Sequence, residues 1–287
     1  MLDSTQSRLN VQSTQWQGKL SVQYRLSSGR TYPVVEEMVA PLKLQRPFYP
    51  LGSQNCQSVL LHTAGGMVGG DRLSVSLHLM PETSVFWTTP AATKVYRSGG
   101  EMAQTQVRIR IEPGARLTWF PLETILFDGA RYQQEVEVEL SPGAIWCCWE
   151  WTRLGRTALG EGFDRGHWRS RTQVTRQGMP LWIDSQGSLT QEGGLGADYG
   201  LGGYPVVGSL CWLGGAIGRS LLEDIRAVFP GSEKKFSVGV TRLPDGLLCR
   251  YRGNSTEEGK SLFMGVWRIL CQAHGEENWL RPRVWPM

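Results

Sequence analysis

Three stretches between residues 73 and 151 share one plan, and that plan constrains the fold more than any motif does. "LSVSLHLMPETSVFW", "TQVRIRIEPGARLTW" and "QEVEVELSPGAIWCC" each run from an alternating strand through a Pro-containing turn into an aromatic-rich strand. Aligning Pro81, Pro113 and Pro142 brings Leu79, Ile111 and Leu140 to one offset. Leu77, Ile109 and Val138 then match two residues earlier, and Val75, Val107 and Val136 two before that. Period-two alternation buries one face of each strand. A unit recurring at about 30 residues predicts stacked units that bury one continuous core. Stacking in register would also set Arg108 and Arg110 beside Glu137 and Glu139, worth roughly 0.2–1 kcal/mol per pair. An antiparallel meander shows the same alternation but does not need the matched offsets. The expected fold is therefore mainly β, a stacked, solenoid-like (β-helix-like) sheet domain.

Composition agrees: 35 Gly and 12 Trp suit many turns and large half-buried aromatics. The β-rich stack is expected over about residues 16–190, followed by a mobile Gly-rich loop at 192–204 and a helix-containing part at about 215–287, all one domain. Two α-helices are expected in that last third. "RSLLEDIRAVFPG" carries the apolar face Leu221, Leu222, Ile225, Val228 and Phe229 and stops at Pro230–Gly231. "STEEGKSLFMGVWRILCQAHG" opens with a Ser255–Glu258 capping box. The polar N-terminus offers no export signal, and no run approaches the roughly 18 apolar residues of a membrane span. The six cysteines show no framework spacing, so free thiols in a reducing, cytoplasmic setting are expected. A net charge of +4, dispersed along the chain, argues against nucleic acid.

Conventional chemistry is missing. "LHTAGGMVGGDR" lacks the Lys–Ser/Thr of a phosphate loop, and Asp71 stands where phosphate would be repelled. Asp71 is either a turn cap or a carboxylate offered to an interior route or a partner. The four histidines are scattered, with no metal-ligand spacing, and no G-x-S-x-G elbow occurs. What remains are polar groups in apolar company: Thr88, Thr89, Lys94 and Arg97 after one strand, Glu123 and Asp128 in "FPLETILFDGAR", and Glu150, Arg156 and Glu161 in "CCWEWTRLGRTALGEG". Such carboxylates are costly unless paired, for instance Glu150 with Arg156, or liganded. Of Cys147 and Cys148, alternation puts one in the core and one facing outward.

The segments "PLKLQRPFYP", "LLHTAGGMVGGDRL", "TTPAATKVYRS", "FPLETILFDGAR", "WEWTRLGRTALGE" and the terminal "RPRVW", in that order, resemble the urease accessory protein D family, called UreD or UreH. Residues 186–255 match the family's pattern poorly, and "PLWIDSQGSL" stands where many members are more charged. The resemblance implies a β-rich helical stack and a maturation factor rather than an enzyme. It implies action with accessory protein F, the GTPase accessory protein G and the urease apoprotein, and leaves room for a homodimer within that complex. Nickel would be a cargo in transit rather than a tightly bound cofactor, with GTP bound by the GTPase partner. Asp71, Thr88, Thr89, Lys94, Arg97, Glu123, Asp128, Glu150, Arg156 and Glu161 occupy the family's motif positions, with Asp71, Glu123, Glu150 and Glu161 as weak transit ligands. Oxygen donors suit a cation that must leave again. Two rivals come from other classes: a β-solenoid carbohydrate-active enzyme using paired carboxylates such as Glu123 and Asp128, and a plain protein-interaction module. The tryptophan content and the tail "WLRPRVWPM" also predict apolar surface that awaits a partner.

Overall fold

The computed structural model describes residues 15–189, 196, 200–229, 236–275 and 281–285. In chain order the strands are β1 (Gln17–Ser27), β2 (Arg30–Val39), β3 (Leu42–Leu44), β4 (Asn55–His62), β5 (Arg72–Leu79) and β6 (Ser84–Thr88). There follow β7 (Thr93–Val95), β8 (Ala103–Ile111), β9 (Arg116–Phe120), β10 (Thr124–Leu126), β11 (Arg131–Leu140) and β12 (Ile145–Leu154). The last third holds β13 (His167–Arg176), β14 (Met179–Leu189), β15 (Val206–Leu213), α1 (Arg219–Ala227), β16 (Phe236–Leu243), β17 (Gly246–Gly253) and α2 (Thr256–Ala273). None of the described helices is long and apolar enough to cross a membrane.

The repeat is the stack. Strands β5, β8 and β11 pair in parallel, with Val75 beside Val107 and Val107 beside Val136, then Leu77, Ile109 and Val138, then Leu79, Ile111 and Leu140. Sequence offset and spatial register are thus the same thing. The chain winds through about four turns between a seven-stranded sheet, in order β14-β13-β11-β8-β5-β1-β2, and a ten-stranded sheet whose main path is β16-β17-β15-β12-β9-β6-β4-β3. The expected charge ladder forms in part. Arg108 Nε lies 3.3 Å from Glu137, whereas Arg110 turns to Glu112 at 2.8 Å and Glu139 accepts from the Thr175 hydroxyl.

The Pro turns repeat in detail. Thr83 N donates to Met80 O, Ala115 N to Glu112 O and Ala144 N to Ser141 O, each closing a four-residue turn with Pro at its second position. The third position has positive φ every time: +60° at Glu82, +71° at Gly114 and +76° at Gly143. Glycine meets that demand in two turns. Glu82 meets it under strain.

Two cores share the ten-stranded sheet. The first fills the space between the sheets, with Leu77, Ile109, Val138, Trp146 and Leu213 among its buried residues. The second lies on the opposite face of the ten-stranded sheet, under α1 and α2, where Phe120 stacks on Trp149 with ring centroids 4.1 Å apart. Ser255 caps α2 by accepting from Glu258 N, as the sequence motif required. Cys147 and Cys148 are both buried, one in each core, so the outward-facing thiol meets α2's side of the molecule rather than solvent. Of the tail, 281–285 is described, and Trp285 docks on the chain's own second core. Its ring stacks on Trp149 at 5.2 Å and its Nε1 donates to Thr88 Oγ1 at 2.6 Å. The loop expected at 192–204 lies largely outside the described residues; residues 201–204 belong to a turn.

The turn strain is measurable. Gly143 has positive φ and nothing closer than 4.0 Å to an added Cβ, so Gly143→Ala isolates the backbone cost. It should lower the unfolding free energy by about 1–2 kcal/mol, while Glu82→Gly should raise it by about 0.5–1 kcal/mol. Denaturant titration reads both; equal stability of all three proteins would remove the turn from the account.

Candidate functional site

Because turns stack in register, one parity of each strand lines the interior. Most of these inward positions are apolar. One layer is not. On the seven-stranded sheet it runs Thr105, Gln134, Ser170, Gln186 through successive partners on β8, β11, β13 and β14, with Thr172 and Asp184 one step along. On the ten-stranded sheet it runs Glu150, Ser209, Arg250 across β12, β15 and β17. The two rows meet where Ser170 Oγ donates to Glu150 Oε1 at 2.5 Å.

A cavity of about 490 Å³ occupies the interior beside this layer. Thr105, Tyr132, Gln134, Glu150 and Thr172 supply its polar wall, with Leu73, Val75, Val107, Trp119 and Trp146 among the apolar ones. Lys94 and Gly65, both exposed, and half-buried His62 lie on the lining as well, which places the cavity's mouth at the loops after β4 and β6. Burial is the largest influence on Glu150 and pushes its carboxyl up to about 7; Asp184 adds to the rise, and the Ser170 donor and the Arg250 charge oppose it. Glu150 is therefore a carboxyl that exchanges its proton near neutral pH. Burial lowers the His62 imidazole, against the pull of Asp71.

The residues singled out in the sequence fall into three groups. Thr89, Lys94 and Glu150 line the cavity. Thr88 does not reach the lining; it faces the second core with the hydroxyl committed, donating to Phe120 O at 2.7 Å while receiving the Trp285 indole. Thr89 Oγ1 accepts from Leu122 N at 2.9 Å. A second group forms an exposed polar cluster away from the cavity lining. Arg156 pairs with Glu161 and lies over the Phe127 ring, Glu161 accepts from Asp128 N, and Asp128 accepts from Asp164 N and Arg165 N and pairs with the Arg165 side chain. The Arg156 partner is thus Glu161 and not Glu150, because β12 points Glu150 inward before the chain turns at Gly155. The Asp128 carboxyl is held low by the Arg165 guanidinium and the two backbone donors, against the effect of burial. Arg97, exposed, pairs by backbone with Ala130 beside Gly129.

Glu123 and Asp71 stand apart. Glu123 makes an ion pair with Lys260 of α2 at 2.8 Å, both side chains largely buried, and so ties that helix to the sheet. Glu123 and Asp128, the carboxylates named for a glycosidase, are held by different partners, Lys260 and Arg165. Asp71 is 1% exposed, and each carboxylate oxygen accepts a backbone N–H, one from Trp16 and one from Val68, at 2.9 Å. Gly70 precedes it at φ +93°, a conformation that glycine adopts without penalty. The glycine-rich loop wraps a carboxylate rather than a phosphate.

Sequence reading did not single out Thr105, Gln134, Ser170, Thr172, Asp184, Gln186, Ser209 or Arg250. The signal existed: each is a polar residue at the inward parity of its strand.

Fold and cavity define a β-solenoid whose interior holds a largely apolar compartment with one polar wall, open at the loops after β4 and β6. The family model described as "UreD urease accessory protein" matches residues 17–286. Relatives named urease accessory protein UreD include that of Nostoc punctiforme, 47% identical over 270 residues that cover 94% of this chain and 96% of the relative. That of Trichormus variabilis is 48% identical over the same shares, and that of Synechocystis is 37% identical over 90% of this chain and 96% of its own. The chain belongs to the UreD urease accessory protein family.

Asp71→Asn tests the cap. An amide offers one acceptor where two N–H groups need one each, so about 1–3 kcal/mol of stability should be lost. A variant with unchanged melting behaviour that still failed in urease maturation would assign the charge, and not the cap, the decisive role.

Proposed function

We propose that this chain serves urease maturation as a non-catalytic factor that passes nickel through its interior, in a cytoplasmic complex with accessory protein F, the GTPase accessory protein G and apo-urease. Family membership supports the maturation role. The observation that carries the transit reading is Glu150 on the wall of the internal cavity, whose side-chain hydrogen bond among the described residues comes from a serine hydroxyl. A buried carboxylate locked in an ion pair could not release its partner for a passing cation. One held by a neutral hydroxyl can.

The chemistry of the wall fits a cargo rather than a resident ion. Hydroxyl, amide and carboxylate oxygens bind a borderline divalent cation weakly enough for it to leave, whereas a cysteine–histidine cage would retain it. Among the described residues no cluster of three or more His, Cys, Asp or Glu side chains is placed to hold a metal. Cys148 reaches the lining, but burial and the nearby Glu150 charge keep its thiol protonated well above the ordinary range. It is a poor ligand at neutral pH, since the thiolate is the form that binds metals. Asp71 and Glu123, committed to backbone donors and to Lys260, hold the walls in shape; Glu161 with Asp128 and Arg156 forms an exposed patch suited to partner contact.

Glu150 gives the test a sign. Its folded-state pKa, about 7, exceeds the ordinary 4.5. Below pH 4.5 both states are protonated and Glu150 costs nothing. As pH rises towards 7 the unfolded chain releases its proton first and the folded state loses stability, a loss that stays constant above 7. Glu150→Gln should therefore stabilise the protein at pH 8 by roughly 1–3 kcal/mol and leave it unchanged below pH 4.5. Cation uptake has the opposite pH trend, since the proton must leave before nickel is held. In reconstituted maturation, with nickel in urease as the readout, the wild-type rate should exceed that of Glu150→Gln several-fold at pH 8 and by less at pH 6. A variant that loads urease at the wild-type rate throughout would sink the transit reading.

A further inference from the structure

The polar layer does not end at the cavity. One strand beyond Glu150 lies Ser209, and beyond that Arg250; one strand beyond Thr172 lies Asp184. Arg250 on β17 and Asp184 on β14 belong to opposite sheets, and they meet across the interior. Arg250 Nη2 lies 2.5 Å from Asp184 Oδ1, and Nη1 lies 3.2 Å from Oδ2. Gln186 Nε2 donates to Asp184 Oδ2 at 2.8 Å and reaches Ser209 Oγ at 3.5 Å. The clasp is two-pronged, and it straddles the boundary of the fold: the Asp184 side chain is 8% exposed, the Arg250 side chain 43%.

Along the ten-stranded sheet, Glu150 on β12 lies between β4, which carries His62 at the mouth, and β17, which carries Arg250. We propose that the Arg250–Asp184 clasp is a gate that closes the far end of the interior layer to cations. The inference rests on the transit reading above for its cargo, although the gate itself is a property of the chain. Closed, it presents a guanidinium, which repels a divalent ion, and it ties up the carboxylate that would attract one. Two parallel N–H···O contacts hold it better than a lysine's single point charge would. Open, with Arg250 swung into solvent, the same end offers Asp184, Gln186, Ser209 and Glu150 in sequence, a row of oxygens leading to the cavity. The partly exposed Arg250 side chain is what a carboxylate on a docking partner would grip to pull it aside.

The outer face of the seven-stranded sheet, around Arg108, Glu137 and Glu139, holds alternating charges already matched to one another. The thiols of Cys148 and Cys211, paired across β12 and β15, are buried and protonated.

Accessibility chemistry tests the gate without nickel or partners. Ser209→Cys places a thiol one strand inside the clasp, and labelling of the full chain by methanethiosulfonates, read by mass spectrometry at that position, reports entry. Two reagents are used, one carrying a quaternary ammonium and one a sulfonate. In the Ser209→Cys background, Arg250→Gln removes the positive barrier, and labelling by the ammonium reagent should rise at least tenfold while the sulfonate changes little. Asp184→Asn frees the guanidinium but keeps its charge, so the sulfonate should gain more than the ammonium. Opposite charge preferences in the two variants establish a gate. A rise that is equal for both reagents means general loosening and overturns the proposal, as does no rise in either variant; if one variant fails to fold, the other decides. The outcome is independent of Glu150→Gln: a gate with charge selectivity beside a normally active Glu150→Gln would leave the clasp standing and remove nickel as its cargo.

Discussion

Everything in this molecule depends on the parallel, in-register pairing of successive turns. Each turn places the same parity of side chain inward, so Val75, Val107 and Val136 form one interior row and Leu77, Ile109 and Val138 the next. The hydrophobic effect enforces the register, because a slip of one residue would send a whole row to solvent. The same rule makes the exceptions visible. Thr105, Gln134, Ser170 and Gln186 share a row as well, and a polar row inside a β-stack costs free energy unless its members satisfy one another. They do so in part through Ser170 with Glu150 and Gln186 with Asp184. What is left over is a cavity with an underused carboxyl on its wall.

The ten-stranded sheet is packed on both faces. Its inner face holds the polar layer, and its outer face carries an aromatic ladder of Phe86, Phe120, Trp149 and Trp285. Helix α2 closes that second core and is fastened by the Lys260–Glu123 pair, and the Trp285 indole binds the Thr88 hydroxyl from the same side. Residues that looked like separate functional candidates in the sequence, Thr88 and Glu123 among them, thus hold the wall against which the cavity is built. The tryptophans that suggested exposed partner-binding surface are mostly spent inside: Trp87, Trp146, Trp149 and Trp151 are buried.

The stack was legible because its signal repeats. Alternation running into a Pro turn fills a fifteen-residue window, and the window recurs at matched offsets about 30 residues apart. Both helices were legible because their signals are local. The site was legible only in fragments. Glu150 drew notice as a carboxylate between tryptophans, but its partner Ser170 lies 20 residues away on the other sheet, and the pairing of Arg250 with Asp184 spans 66. No local pattern encodes such meetings; they follow from register, which requires the fold first. Asp71 shows the converse. Of the two roles its loop left open, the structure displays the cap, with one carboxylate oxygen accepting from Val68 N in the loop itself and the other from Trp16 N beside β1.

The central claim is that the interior of the solenoid, and not its surface alone, does the work of maturation. Filling that interior tests it most directly. Thr172 lies on the cavity wall and is 6% exposed, so Thr172→Phe adds a ring inside without touching the outer faces. The account predicts a folded protein that still assembles with its partners and leaves urease nearly free of nickel, as counted by metal analysis of the purified enzyme. Urease that emerges fully loaded from maturation with the filled variant would contradict it.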